Sequence, residues 1–214
     1  MTESLSPSDA WALAQSKEAS IVDVRGPSKF ALGHPPGAIS LPFSQKGLET
    51  RLEVLLHSGT PVILLTDDRD QAKSALSQLG ASAYPVLGVI EGSLEAWYER
   101  GLPVQTLEEC SVHEITGASD NGNAVVLDVR ESIEWEMGHV PDAILISLGA
   151  LRERLNDVPK GPQVIVICEA GVRSSSAASI LQAAGFDDVV NVPEGTAGYR
   201  NAGLLLHFLE EGTA

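Results

Sequence analysis

Short runs of consecutive apolar residues, rich in valine and isoleucine, recur along the chain between longer mixed segments. Runs that are apolar at successive rather than alternate positions are typical of parallel strands buried on both faces of a sheet. The runs that we predict as strands are residues 21–25, 61–66, 86–90, 126–130, 164–167 and 189–192. Helix-compatible segments alternate with them, and two of these segments end at Gly80 and Gly185. The alternation predicts an α/β fold with helices on both faces of each sheet.

The pattern occurs twice, with a constant offset between the copies. Asp128 and His139 follow Asp23 and His34 by 105 positions each. A fixed period of this length indicates a duplicated domain. We expect the first domain to span residues 1–104 and the second residues 105–214, with residues 102–109 as the connecting segment.

The charge of the chain limits the partners that we expect. At 214 residues, with 43% apolar residues, a mean hydropathy near zero and a net charge of −15, the composition is typical of a soluble globular protein. Nucleic acids and anionic membranes bind basic surfaces, so we expect neither as a partner. A small anionic substrate would have to be attracted locally, against the overall field.

The N-terminal residues form neither a basic nor an apolar leader segment, and no apolar run approaches the length of a membrane span. We therefore expect a cytoplasmic location. The two cysteines, Cys110 and Cys168, are far apart and form neither a disulfide framework nor a metal-ligand spacing. We expect no metal and no cofactor.

A cysteine turn in the second copy is the strongest candidate for chemistry. It lies between the apolar run 164–167 and the helix-compatible run 175–184, and it reads Cys168, Glu169, Ala170, Gly171, Val172, Arg173 and Ser174. A central glycine permits a left-handed conformation with inward-facing amides, and a helix N-terminus favours an anion. Arg173 adds a permanent positive charge. We expect the turn to stabilise a thiolate on Cys168 or to hold a small oxyanion.

The first copy differs at this turn. Thr66 occupies the position of Cys168, and the residues after it are Asp67, Asp68, Arg69 and Asp70. Three carboxylates would repel an anionic substrate. We therefore predict that the first domain is catalytically silent, and that features shared by both copies are architectural.

The histidines and the second cysteine are weaker candidates. His34 and His139 occur in both copies, including the copy without a nucleophile, which favours a structural role over that of a base. Cys110 lies near the connecting segment without a comparable turn, so we expect an ordinary thiol there.

Asp128 and Arg130 end a predicted strand, and Asp23 and Arg25 are their counterparts in the first copy. This duplication favours an ion pair or a hydrogen-bond anchor at the end of the strand. Because ligand sites in parallel sheets lie beyond the carboxyl ends of the strands, Asp128 and Arg130 are also placed to support the cysteine turn from below.

The Cys-x4-Arg sequence in a strand-to-helix turn resembles the active-site loop of the rhodanese, or sulfurtransferase, family, with Cys168 in the place of its persulfide-forming cysteine. The resemblance covers nearly the whole chain and implies two tandem rhodanese-like domains, each a small, mainly parallel sheet with helices on both faces. Two-domain members commonly have the working cysteine in the C-terminal domain. Related dual-specificity phosphatases have a loop one residue longer and usually a histidine where this chain has Ile167. In animal two-domain members a basic residue four positions after the strand-end arginine contacts thiosulfate; this chain has Glu134 there.

The resemblance implies a sulfurtransferase that moves a sulfane sulfur from a donor such as thiosulfate to a thiol or cyanide through a persulfide on Cys168. Ser174 would cap the helix or bind the sulfur, while Glu169 and Val172 would shape access. Glu169 opposes a dianionic donor and suits a neutral or protein-bound persulfide. Expected partners are a small sulfur-containing anion or a low-molecular-weight thiol or persulfide, and a sulfur-accepting protein.

Three alternatives remain open for Cys168. A non-catalytic persulfide carrier or docking module needs the same cysteine turn as an enzyme. A cysteine-dependent phosphatase or arsenate reductase uses the same thiolate, although the loop of six residues from Cys168 to Arg173 disfavours it. A buried structural cysteine at the end of a strand is the third alternative.

Overall fold

The computed structural model describes residues 3–90, 93–115 and 122–208, so the predictions for Met1 and Thr2 lie outside the described residues. The chain divides into two compact units, Met1–Leu107 and Glu108–Ala214. The division lies three residues beyond the predicted end of the first domain at residue 104. Backbone hydrogen bonds explain this difference, because Gln105 pairs with His34 and the amide of Leu107 donates to the carbonyl of Ala31.

The first unit is a five-stranded parallel sheet with the strand order β1-β5-β4-β2-β3. Its elements are β1 (Glu3–Leu5), α1 (Pro7–Gln15), β2 (Ser20–Asp23), α2 (Pro27–Leu32), β3 (Ile39–Ser40), α3 (Leu48–Leu55), β4 (Val62–Leu65), α4 (Arg69–Leu79), β5 (Val86–Ile90) and α5 (Ser93–Glu99).

The second unit repeats this plan as a parallel sheet with the strand order β6-β10-β9-β7-β8. Its elements are β6 (Glu108–Glu109), α6 (Val112–Ile115), β7 (Ala124–Asp128), α7 (Ser132–Glu136), β8 (Ile144–Leu145), α8 (Leu148–Leu151), β9 (Gln163–Ile167), α9 (Val172–Ala183), β10 (Val189–Asn191) and α10 (Gly195–Asn201). A short 3-10 helix, Leu155–Asp157, precedes β9. The two sheets confirm the predicted α/β class of two parallel-sheet domains.

Strand β9 lies at the centre of the second sheet, between β10 and β7. Four of its five side chains are buried, as expected for a strand whose two faces are both covered. Ile165 and Ile167 contribute to a core that also includes Val126, Val190 and Tyr199. The carboxyl end of this central strand is therefore a rigid support for the residue that follows, Cys168.

The apolar pattern did not predict the outer strands β1, β3, β6 and β8, which have two or three residues each. Strands this short contain too few positions to show a period. Helix α9 begins at Val172, three residues before the predicted start at Ser175. No helix in the described ranges is long and apolar enough to cross a membrane.

Candidate active site

Cys168 directly follows β9 and is only 1% exposed. Its Sγ lies 3.4 Å from Oγ of Ser174, and either atom could donate the hydrogen bond. Ser174 is itself fully buried in the first turn of α9. The thiol therefore lies at the floor of the turn, beside a hydroxyl group, and not at its rim.

The turn can close this tightly because of two glycines. Gly171 is the N-cap of α9 and has a left-handed backbone with φ of 77°. A Cβ atom on Gly171 would lie 2.4 Å from the carbonyl oxygen of Pro193, and one on Gly195 would lie 2.4 Å from the carbonyl oxygen of Glu169. Both distances are far inside van der Waals contact, so each position requires glycine.

The first turn of α10, which follows the neighbouring strand β10, holds the cysteine turn in place. The amide of Thr196 donates to the carbonyl of Cys168 at 2.8 Å, and the amide of Ala197 donates to the carbonyl of Glu169 at 3.1 Å. These bonds use the carbonyl groups of the turn and leave its amides free. Within the described part of the chain, none of the backbone N–H groups of residues 169–174 donates to a protein acceptor.

Arg173 makes a two-pronged ion pair with Glu134, a residue of α7. Its Nη1 lies 2.7 Å from Oε2, and its Nη2 lies 2.6 Å from Oε1. Hydrogen bonds from Arg173 lower the pKa of Glu134 to about 2, and the same hydrogen bonds raise the pKa of Arg173 above its ordinary value. Both groups are therefore charged throughout the physiological pH range, and each already has a partner of opposite charge.

Glu169, next to the cysteine, is neutralised in a similar way. Its carboxylate is ion-paired with the guanidinium of Arg200 on α10, and the hydroxyl of Thr196 donates to it at 2.7 Å. Hydrogen bonds from Arg200 hold the pKa of Glu169 below its ordinary value. Nη1 of Arg130 lies 4.0 Å from the same carboxylate. Glu169 is thus directed towards two arginines beside the turn.

Asp128 and Arg130 form a buried ion pair at the end of β7. Nη2 of Arg130 lies 2.7 Å from Oδ2 of Asp128, and it also donates to the carbonyl of Gly138 at 3.0 Å. The amide of Arg130 donates to Oδ1 of Asp128 at 3.0 Å. Asp23 and Arg25 repeat these contacts in the first unit. The pair joins the strand end to the turn after the next helix in both units.

The two shared histidines stack on aromatic rings of the preceding helices. The ring of His139 lies 3.7 Å from that of Trp135, and its Nδ1 lies 3.2 Å from the Trp135 carbonyl oxygen. His34 stacks on Phe30 at 3.6 Å, with its Nδ1 2.7 Å from the Phe30 carbonyl oxygen. In both units the contacts are those of a side chain that fixes a turn.

The first unit has a different arrangement at the position of the cysteine turn. The carboxylate of Asp68 accepts hydrogen bonds from the amides of Asp70 and Gln71, at 2.9 and 2.8 Å, and so caps α4. The hydroxyl of Thr66 donates to the carbonyl of Asp68. Side-chain oxygens thus occupy the helix N-terminus that the second unit leaves free.

Cys110 is half-buried, and burial raises the pKa of its thiol to about 11. Nearby carboxylates add to this shift. A thiol with this pKa is almost entirely protonated near neutral pH. In the described ranges, no group of three or more histidine, cysteine, aspartate or glutamate side chains is arranged to hold a metal ion.

The structure therefore brings most of the predicted site residues together around one turn. Glu169 faces α10, Gly171 and Ser174 shape the turn, Arg173 faces α7, and Ala170 and Val172 are exposed. Asp128 and Arg130 lie at the end of the adjacent strand. The sequence analysis missed Thr196 and Arg200. The rule that sites form beyond neighbouring parallel strand ends could have indicated them, because β10 is adjacent to β9.

Comparison with known proteins places both units in one family. The Rhodanese-like domain family model matches residues 6–100 and residues 111–202. Over 100 residues the chain is 32% identical to the thiosulfate sulfurtransferase GlpE of Actinobacillus pleuropneumoniae, a match that covers 47% of this chain and 93% of that protein. Over 70 residues it is 39% identical to the putative sulfur carrier protein YrkF of Bacillus subtilis, a match that covers 33% of this chain and 38% of that protein.

A solved structure, the thiosulfate sulfurtransferase from Pseudomonas aeruginosa, aligns with 97% of this chain and 44% of its own length, at 23% identity and a TM-score of 0.41. The matched segments thus span less than half the length of both the Bacillus and the Pseudomonas proteins. The family match nevertheless extends over both repeats. The chain belongs to the rhodanese family and consists of two rhodanese-like domains in tandem.

Proposed function

We propose that this protein is a sulfurtransferase that carries the transferred sulfur as a persulfide on Cys168. The observation that supports the proposal most directly is the cysteine turn itself. Cys168 begins a turn in which the backbone amides of residues 169–174 have no protein acceptor in the described ranges, and its Sγ lies beside the hydroxyl of Ser174. Unpaired donors at a helix N-terminus favour an anion at their centre.

The reaction proceeds by two displacements. The thiolate of Cys168 attacks the outer sulfur of the donor; in thiosulfate, the sulfur–sulfur bond breaks and its electron pair leaves with sulfite. A persulfide anion remains on Cys168. An acceptor thiolate or cyanide then attacks the terminal sulfur and forms a bond to it, while the bond between that sulfur and Sγ breaks and its electron pair returns to Cys168 as the thiolate. The balance requires neither a metal nor a redox cofactor.

The loop amides serve both stages of this cycle. The thiolate of the free enzyme and the terminal sulfur of the persulfide are each anionic, and donors fixed in place stabilise such charges without reorganisation. The bonds from Thr196 and Ala197 to the carbonyls of Cys168 and Glu169 hold the loop in this conformation. Gly171 and Gly195 permit the close contact between the cysteine turn and the segment at the start of α10.

The first domain is proposed to be catalytically silent. Thr66 cannot form a persulfide, and the Asp68 carboxylate already occupies the amides at the start of α4. We propose a structural role for this domain. The domain limits proposed from the sequence, residues 1–104 and 105–214, differ by three residues from the division into compact units.

Intact-mass analysis tests the proposal. After incubation with a sulfane-sulfur donor and removal of the excess, the protein should gain the mass of one sulfur atom, and peptide mapping should place it on Cys168. Cys168→Ser should abolish both the adduct and sulfur transfer to cyanide, whereas Thr66→Ala should change neither. Transfer that persists in Cys168→Ser would overturn the assignment. Hydrolysis of p-nitrophenyl phosphate should be negligible, and substantial hydrolysis would favour a phosphatase.

A persulfide carrier is the second candidate, because Cys168 is almost completely buried and Arg173 is already paired. These features suit transfer from a partner protein docked over the turn better than rapid turnover of a small anion. The carrier predicts the same adduct but slow turnover with cyanide. Multiple-turnover kinetics therefore separate the two candidates. We also propose that the protein is cytoplasmic and that its acceptor is another protein.

A further inference from the structure

At the edge of the cysteine turn, the guanidinium group of Arg173 is bound by the carboxylate of Glu134. Both terminal nitrogens of Arg173 are bound to one carboxylate, at 2.6 and 2.7 Å. The side chains remain 25% and 34% exposed, so the pair lies at the surface of the site. A two-pronged guanidinium–carboxylate pair is strong and directional. An incoming oxyanion would have to compete with Glu134 for Arg173.

Helix α7 holds Glu134 in position independently of Arg173. Glu134 is the third residue of this helix, and its side chain accepts a hydrogen bond from the amide of Glu131 at 3.0 Å. The amide of Glu134 in turn donates to the carbonyl of Glu131 at 3.0 Å, so the two residues are linked in both directions. Because the carboxylate is already fixed, pairing with Arg173 costs little additional conformational entropy.

The other arginines around the turn are paired as well. Arg200 is bound to Glu169, and Arg130 is bound to Asp128. The three arginines Arg130, Arg173 and Arg200 are thus matched by three carboxylates. A donor with two negative charges would meet no net positive charge among these groups, in a chain whose overall charge is −15.

In the first unit, the counterpart of Glu134 has the opposite charge and makes a different ion pair. Lys29, 105 residues earlier, occupies the equivalent position, and its Nζ lies 2.6 Å from Oδ1 of Asp67. Asp67 is the counterpart of Glu169. A cation at position 29 therefore pairs with the residue beside the turn, whereas the carboxylate at position 134 leaves Glu169 to Arg200 and binds Arg173 instead.

We propose that Glu134 is a specificity-determining residue that excludes dianionic donors by occupying Arg173, and that the site accepts sulfur from donors with one negative charge, such as an organic thiosulfonate or persulfide. The inference rests on the proposed sulfur transfer by Cys168. With a thiosulfonate, the Cys168 thiolate attacks the terminal sulfur, the sulfur–sulfur bond breaks, and the electron pair leaves with the sulfinate. The persulfide that remains on Cys168 is identical to the one formed from thiosulfate.

Thiosulfate and methanethiosulfonate form a matched pair of donors, since they differ by one charge and release sulfite and methanesulfinate, respectively. Glu134→Gln keeps an oxygen that can cap α7 but removes the charge that binds Arg173. We expect it to lower the KM for thiosulfate by about fivefold or more and to change the KM for methanethiosulfonate less than about twofold. Glu136→Gln is the control, because Glu136 is exposed on the same helix and Arg173 is bound by Glu134 instead. It should change neither KM by more than about twofold, since screening weakens distant surface charges.

A binding measurement separates failure of this inference from failure of the proposed function. Sulfate should protect Cys168 from alkylation by iodoacetamide at lower concentrations in Glu134→Gln than in the wild-type protein, and this readout needs no turnover. Equal protection in the two proteins, or equal effects of the Glu134 and Glu136 variants, would overturn the inference even if sulfur transfer is observed. Tighter protection without any persulfide on Cys168 would support the role of Glu134 in excluding dianions and refute the sulfurtransferase.

Discussion

The guanidinium of Arg200 binds the carboxylate of Glu169, 31 residues earlier in the chain. This ion pair balances the negative charge beside Cys168, which would otherwise repel an anionic donor. Thr196 donates to the same carboxylate and joins α10 to the cysteine turn. The charge next to the nucleophile therefore depends on a helix that is distant in sequence.

Arg200→Gln should weaken the binding of anionic donors. Without the guanidinium, Glu169 keeps its hydrogen bond from Thr196 but presents an unbalanced negative charge near Cys168. We expect the KM for thiosulfate to rise by roughly threefold to tenfold, since the group is partly exposed and solvent screens it. Arg154→Gln, which removes an exposed arginine paired with Asp157 elsewhere in the same unit, is the control for net charge. An equal rise in both variants would contradict a local effect of Arg200.

Asp128→Asn should destabilise the second domain strongly. The substitution removes the charge that balances the buried guanidinium of Arg130, and an unpaired buried charge costs roughly 3–5 kcal/mol. Urea unfolding would measure the loss. Asp23→Asn should produce a loss of similar size in the first domain, because the contacts there are equivalent. Asp157→Asn, in an exposed pair, should cost less than about 0.5 kcal/mol; a comparable loss in that variant would contradict the importance of burial.

Gly171→Ala should disrupt both stability and activity. The new Cβ would clash with Pro193, and the left-handed backbone would be strained as well. We expect a loss of at least about 2 kcal/mol in the free energy of unfolding and a large loss of sulfur transfer. Gly185→Ala separates the two causes, because Gly185 has φ of 87° but a Cβ added there would meet no atom within 4 Å. Its loss should be about 1 kcal/mol, with activity retained. Equal losses would show that the contact with Pro193 does not matter.

The ion pair of Glu134 should contribute a pH-dependent part of the stability. Its pKa is about 2 in the folded protein, below the ordinary value of 4.5, so the contribution is complete above pH 4.5 and disappears as the pH falls through 2. Wild-type protein should therefore exceed Glu134→Gln in stability by on the order of 1–2 kcal/mol at pH 6, and the difference should shrink at pH 3. Urea unfolding at the two pH values measures it. A constant difference would contradict the pairing.

The thiol of Cys110 should react slowly with electrophiles near neutral pH. With a pKa of about 11, only about one thiol in a thousand is ionised at pH 8. Alkylation of Cys110 by iodoacetamide should accelerate roughly tenfold per pH unit between pH 8 and 10, and peptide mapping would measure it. Cys110→Ser should retain sulfur transfer within about twofold. A large loss of activity in this variant would indicate that Cys110 acts as a partner of Cys168.

The sequence was sufficient to predict the α/β class and the duplication, because both depend on local patterns and constant spacing, and the resemblance of the Cys-x4-Arg turn indicated the family. The contact between Glu134 and Arg173 was not predictable in this way, since it joins the turn after β9 to a helix that follows β7. The sequence left the burial of Cys168 open, because the segment with Pro193 and Gly195, which packs against the cysteine turn, is distant in the sequence. The start of α9 at Val172 shows that a β-branched residue can begin a helix directly after a left-handed glycine.

The hydrogen bonds from Thr196 and Ala197 to the carbonyls of Cys168 and Glu169 also affect the order in which the site can be assembled. During synthesis, β9 and α9 are translated before α10, and until α10 is present the cysteine turn lacks these two bonds. A nascent chain therefore cannot complete this turn until nearly the whole second domain has been translated.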